Sequence, residues 1–146
     1  MRFSHVGICV TDVESSLRFY QDFLGFRPVH ELEIRGKATA RLLRLEKVEL
    51  RALFLERDGV RIELLHYATP GHIGEPTPRA MNQIGLTHLS IQVEDIDEVL
   101  AGVEPAGGRV LKETIVSVEQ TGARAVFLTD PDGTLIELVQ WPTPAD

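Results

Sequence analysis

The sequence predicts an α+β fold built from two tandem βαβββ modules, and three observations lead there. His5-Val-Gly-Ile-Cys-Val-Thr-Asp-Val13 aligns without a gap on His88-Leu-Ser-Ile-Gln-Val-Glu-Asp-Ile96. Arg57-Asp-Gly-Val-Arg-Ile-Glu-Leu-Leu65 matches Pro131-Asp-Gly-Thr-Leu-Ile-Glu-Leu-Val139, so both ends of the two halves recur in the same order. Between these ends each half passes from strand-like alternation to helical spacing and back.

The elements follow in order. Val6, Ile8 and Val10 point to one face of the first strand, while His5, Gly7 and Cys9 point to the other. Thr11-Asp-Val-Glu14 reads as a capping box, a hydroxyl or carboxylate accepting the free amides of the first helical turn. Val13, Leu17, Tyr20 and Leu24 then stand at helical spacing, and Gly25 is a fitting stop. Three strands are expected near residues 26–34, 39–56 (broken or bent) and 60–67, the last introduced by an Asp-Gly hairpin signal. Pro70, Gly71, Gly74, Pro76 and Pro78 mark residues 68–84 as a linker. The second half repeats the pattern, with a helix on Ile96, Leu100 and Val103 ending at Pro105 and Gly107-Gly108. Its strands are expected near 109–116, 123–129 and 134–141. One domain of residues 1–146 is therefore expected, with modules of about 1–67 and 85–141. Its mixed sheet would be cup-shaped and partly closed, with the helices outside.

Composition narrows the function classes. A hydrophobic fraction of 43% with 25% charged residues is that of an ordinary globular protein, and no apolar run approaches the roughly 18 residues of a membrane span. The N-terminus turns polar and acidic where a signal peptide would be apolar, so a cytoplasmic location is expected. A net charge of −7 argues against nucleic acid or an anionic membrane as partner. One stretch departs from this balance: Arg35, Lys37, Arg41, Arg44, Lys47 and Arg51. It reads either as the charged face of a protected edge strand or as a cationic rim for a phosphate or carboxylate tail. Cys9 is the single cysteine, which excludes an intrachain disulfide.

The repeat maps His5 onto His88 and Glu63 onto Glu137. Strand parity sets all four opposite the apolar residues that face the helices, so they share the open face. A carboxylate in a half-apolar strand costs several kcal/mol to desolvate unless compensated, and two such carboxylates repel. One divalent cation relieves both, with two neutral imidazoles completing the set. A lone strand histidine is more often hydrogen-bonded or solvated than a ligand, and a lone strand glutamate more often faces water. Four residues obeying one pseudo-symmetry and one face favour the ligand reading. A His2Glu2 set suits Zn, Ni, Co, Mn or Fe(II) better than Mg or Ca. His30, His66 and His72 have no repeat partner and are expected in surface or loop roles. Cys9 reads as a small filler rather than a nucleophile.

These motifs resemble the vicinal oxygen chelate superfamily, which includes glyoxalase I, methylmalonyl-CoA epimerase, extradiol dioxygenases, and fosfomycin- and bleomycin-resistance proteins. The resemblance spans roughly residues 3–141 and is carried by HVGICVTDVESSLRFYQDFLGF, VRIELLHYATP, GLTHLSIQVEDID and FLTDPDGTLIELVQ. It implies His5, Glu63, His88 and Glu137 as ligands of one divalent ion per site. It also implies a small-molecule substrate with adjacent oxygens, and a homodimer, to which the unpaired apolar faces of the half-modules also point. IELLHYATP followed by the Pro-rich loop looks like the epimerase branch, and Glu49 falls about where that branch carries a second acid–base glutamate. The implied activity is a metal-dependent epimerase or isomerase working next to a carbonyl through a stabilised enolate, on a CoA thioester or a keto-sugar or cyclitol. Glu137 would be ligand and base, and Glu49 its partner. Glyoxalase I chemistry on a thiol hemithioacetal is the alternative. An extradiol dioxygenase, disfavoured because Glu63 is a fourth protein ligand, and a non-catalytic binding protein follow.

Overall fold

β1 (Val6–Cys9) runs parallel to β4 (Val60–Thr69), with β2 (Arg27–Arg35) and β3 (Glu49–Arg57) completing a four-stranded sheet in the order β1-β4-β3-β2. This sheet belongs to the first of two compact units, Met1–Gly74, in a computed structural model that describes residues 1–142. The second unit begins at Glu75 and repeats the plan. β5 (Leu89–Gln92) pairs in parallel with β9 (Leu135–Gln140), which pairs with β8 (Ala123–Thr129). The short strands β6 (Arg109–Val110) and β7 (Val116–Val118) both pair with β8. The chain is thus α+β, with two sheets in the βαβββ order that its repeat predicts.

Each parallel pair is joined through a helix packed on one sheet face. In the first unit α1 (Val13–Leu17) passes into a π-helical turn, Arg18–Phe23, and the chain leaves it at Gly25 with φ +71°. The carboxylate of Asp12 caps the helix, its Oδ1 accepting the Ser15 amide at 2.7 Å. This bond holds the Asp12 carboxyl below the usual carboxylate range. Val13, Phe19 and Tyr20 are buried with Ile62 and Leu64 of β4. At roughly 1.5–3 kcal/mol for each large apolar side chain removed from water, this layer holds the unit together. In the second unit α3 (Ile96–Val103) is capped by Asp95, which accepts from the Asp97 and Glu98 amides. Ile96, Val103, Ile136 and Leu138 are buried there.

Two segments differ from their expected form. Residues 39–56 are not one bent strand: α2 (Lys37–Leu43) precedes β3. Gly36, at φ +103°, ends β2, and Lys37-Ala-Thr-Ala-Arg-Leu-Leu43 is rich in helix formers. Ala40 of α2 is buried with Val48, Leu50, Ala52 and Phe54, so this helix packs on the sheet face opposite α1. The strand expected at 109–116 is split by a 3-10 turn at Lys112–Thr114. There the Thr114 hydroxyl accepts the Phe127 amide at 2.8 Å and donates to the Leu111 carbonyl at 2.7 Å, replacing ladder bonds. No helix among the described residues is long and apolar enough to cross a membrane.

Gly133, at φ +85° in the turn before β9, lies against the linker, and a Cβ there would sit 2.8 Å from Pro76 C and Thr77 N. Gly59, also at positive φ, has open space around it. Gly59→Ala should therefore cost about 1 kcal/mol from the left-handed backbone alone. Gly133→Ala should cost roughly 2–3 kcal/mol, because backbone must move as well. Denaturant unfolding of the two variants checks the order; equal losses would show that the linker is not seated on this turn.

Candidate functional site

The parallel register of β1 and β4 sets Gly7 opposite Glu63, and His5 stands just before β1. Because Gly7 has no side chain, the imidazole reaches across to the carboxylate: His5 Nε2 lies 3.0 Å from Glu63 Oε2. The other ring nitrogen, Nδ1, is 2.9 Å from the Ser4 hydroxyl. That contact fixes the ring plane and leaves Nε2 as the atom facing Glu63. Phe54, the β3 residue in register with Glu63, meets the His5 ring edge to face at 5.3 Å and 86°. Glu63 is only 14% exposed, and Tyr67, four positions along β4, has its hydroxyl pushed above the usual phenol range by burial, then by Cys9 and Glu63 nearby.

The second unit rebuilds this arrangement. His88 Nε2 lies 3.6 Å from Glu137 Oε2, and His88 Nδ1 is 2.9 Å from the Thr87 hydroxyl. Phe127, in register with Glu137, meets the His88 ring at 5.4 Å and 89°. One position differs. Ser90 occupies the place of Gly7 and donates from its Oγ to Glu137 Oε2 at 2.8 Å. Both contacts of this carboxylate fall on Oε2.

The chemistry of each pair suits a divalent cation. Two donor atoms about 2.1 Å from one ion stand about 3.0 Å apart at a right angle and about 3.4 Å apart at the tetrahedral angle. The observed separations of 3.0 and 3.6 Å bracket these values. The hydroxyl on each Nδ1 is the kind of outer contact that would hold an imidazole in one tautomer and orientation if it ligated an ion. Each pair supplies two donors; among the described residues no third His, Cys, Asp or Glu joins either one in a metal-sized cluster. Ser4, Thr87, Phe54, Phe127 and Ser90 were not singled out by the sequence. A hydroxyl residue precedes both histidines, and a Phe precedes both glutamates by nine or ten residues, which was the available signal.

The remaining candidates lie elsewhere. Glu49 is not beside the His5–Glu63 pair. It begins β3, five residues and so about 16 Å from Phe54 along the strand. There it is 3.7 Å from Lys47 and takes a long hydrogen bond from Thr69. His30 is exposed on β2 and stacks on Phe54 at 4.3 Å and 17°. His66 is half-buried on β4, His72 is exposed in the linker, and Cys9 is exposed on β1. The basic stretch divides. Arg35 pairs with Glu33, Lys47 with Glu49, and Arg51 with Glu31 and Glu14, whereas Lys37, Arg41 and Arg44 lie on or just after α2.

The model of the Glyoxalase/Bleomycin resistance protein/Dioxygenase superfamily matches residues 2–138. A probable lactoylglutathione lyase of Synechocystis is 30% identical over 145 residues, covering 97% of each chain. The human mitochondrial methylmalonyl-CoA epimerase is 27% identical over 146 residues, or 95% of this chain and 73% of that protein. Among solved structures, a glyoxalase family protein from Bacillus cereus superposes with a TM-score of 0.84 at 22% identity, covering 98% of this chain and 95% of the other.

Thr87→Val keeps the volume of the side chain and removes the Nδ1 partner of His88. Zinc affinity, read by competition with a chelating dye, is expected to fall about 10- to 100-fold, the usual effect of losing an outer-shell contact. An unchanged affinity would mean that His88 does not meet the ion.

Proposed function

The chain belongs to the Glyoxalase/Bleomycin resistance protein/Dioxygenase superfamily, and from that premise we propose that it is a metal-dependent isomerase or epimerase that moves a proton next to a carbonyl. Members of the superfamily are mostly enzymes, bind small-molecule substrates, commonly use a divalent metal and often form dimers. The observation that carries the reading is the twice-built His–Glu pair, with the same hydroxyl behind and the same phenylalanine beside each imidazole. In this reading His5, Glu63, His88 and Glu137 hold one divalent ion, drawn from one chain or from two copies of it. Zn, Ni, Co, Mn and Fe(II) all suit the donor set.

Bound there, such an ion supplies Lewis-acid stabilisation of negative charge on a carbonyl oxygen. The chain's own residues then divide the work. Ser4 and Thr87 engage Nδ1 of His5 and His88, so their Nε2 atoms would be the ones to hold the ion. Glu137 presents two unlike oxygens: Oε2 is engaged by His88 and Ser90, and Oε1 is left to accept the proton from the carbon next to the carbonyl. Phe54 and Phe127 exclude water from one side of each pair, which strengthens the electrostatic terms. The position of Glu49, tied to Lys47 at the far end of β3, favours a single base over two. A single base suits an isomerase working on one face of its substrate, whereas an epimerase needs a second.

Lactoylglutathione lyase activity, the same proton transfer on a thiol hemithioacetal, is the second reading, supported by the Synechocystis relative's name and extent. A dioxygenase is disfavoured, since Glu63 occupies space that a catechol and oxygen need. Elemental analysis of the untagged protein should find about one Zn, Ni, Co or Mn per site, lost in His88→Ala. The loaded protein should exchange the proton next to the carbonyl of 2-oxo acids or acyl thioesters with deuterium from solvent, and Glu137→Gln should abolish this. Turnover confined to methylglyoxal with a thiol would move the assignment to the lyase. Absence of metal after incubation with each ion would remove both readings.

A further inference from the structure

The sheet of the first unit carries two features on the face opposite α1. One end holds His5, Glu63 and Phe54; the rest is covered by α2 through Ala40, with Leu43 and Leu45 packed against the same cluster. Ala52 and Leu50, on which α2 sits, lie two and four residues from Phe54 along β3, or about 7 and 13 Å. Among the described residues the second unit has no counterpart, its corresponding segment being the 3-10 turn and β7. An accessory helix therefore flanks one His–Glu pair and not the other.

This helix is basic in a chain of net charge −7. Lys37, Arg41 and Arg44 follow one another at spacings of four and three, so they lie along one side of α2. All three are exposed, and among the described residues none of their charged groups has an acidic partner. Their basic neighbours Arg35, Lys47 and Arg51 each lie within 4 Å of a glutamate, so within residues 35–51 the unpaired basic side chains are those of α2 and its C-cap. Arg44 stands in the left-handed conformation, φ +58° and ψ +39°, at the helix C-cap where glycine is the unstrained choice.

We propose that Lys37 and Arg41 on α2, with Arg44 at its C-cap, form a subsite for the anionic tail of the substrate, a carboxylate or phosphate, on a helix seated over residues about 7 and 13 Å along β3 from Phe54. The proposal rests on the metal-site reading above and adds the substrate class. Guanidinium groups suit bidentate contact with either anion, and α2 packs apolar residues beneath the connecting chain.

The test compares two probes of equal reach on the zinc-loaded protein: the monohydroxamate of suberic acid, and the same molecule with its carboxylate converted to a primary amide. The hydroxamate end chelates the ion in both. Calorimetry should show the acid binding about tenfold more tightly than the amide, the scale of two or three exposed ion pairs. The preference should shrink as salt rises. In Lys37→Gln/Arg41→Gln/Arg44→Gln the acid should fall to the affinity of the amide, with zinc content unchanged. Arg41→Lys/Arg44→Lys, which keeps the charge, should retain most of the preference and guards against a folding effect. Equal binding of both probes to the parent protein, or a preference that survives the triple change, overturns the subsite and leaves the metal site standing. Failure of both probes to bind overturns the two together.

Discussion

The parallel pairing of the first and last strands in each half is the constraint on which the rest depends. A parallel pair needs a crossover, so each half must carry a helix between those strands, and that helix must cover one sheet face. Once one face is buried, period-two geometry sends every second side chain to the other. His5 and His88 stand just before the edge strands β1 and β5, and Glu63 and Glu137 in the middle of the neighbouring strands β4 and β9. The register that buries Ile62 with Leu64, and Ile136 with Leu138, is the register that sets each carboxylate beside its imidazole. A slip of one residue would bury both glutamates and expose the core, so core packing and site geometry are specified by the same choice.

Much of this was legible because the chain states it twice. Repeated His-x-x-Ile and Ile-Glu-Leu segments disclosed the element order and the two capping aspartates, and parity placed the four polar side chains on one kind of face. The signal failed where the halves diverge. Residues 37–48 mix alternating leucines with arginines, which fits an irregular strand as well as a helix whose Ala40 and Leu43 are buried and whose Leu42 is not. Gly36 and the left-handed Arg44 decide it, and only the first of these is conspicuous in a sequence. In the other half Thr114 broke a strand by replacing a backbone partner with its hydroxyl, an option open to any threonine and so invisible in composition. Outer contacts such as Ser4 and Thr87 were missed for a simpler reason: a hydroxyl next to a histidine is common, and only its recurrence in register carries information.

The two pairs are alike in their donors and unlike in their surroundings. Gly7 leaves Glu63 with His5 as its close partner, and the sheet around this pair continues under a basic helix. Ser90 gives Glu137 an additional donor on Oε2, and among the described residues the second unit has no counterpart of α2. A duplicated fold begins with equivalent halves, and a reaction rarely needs two equivalent carboxylates. In the proposed reaction, the single hydroxyl of Ser90 on one oxygen of Glu137 would separate a ligand atom from a proton acceptor. Setting cations on an insertion of the first unit, where no strand register is disturbed, is the corresponding way to add selectivity.

That division explains why fold similarity is a weak guide to activity here. The layers that resemble a Bacillus cereus glyoxalase family protein are those that position donors, which many reactions share. The residues expected to choose the substrate lie on α2 and at the Gly7 and Ser90 positions. These touch the sheets without being required to form them. A substitution in the β1–β4 or β5–β9 register acts on folding and on the geometry of the His–Glu pairs together. One on the exposed side of α2 changes charge alone, so it can alter which molecule is held while the pairs stay as they are.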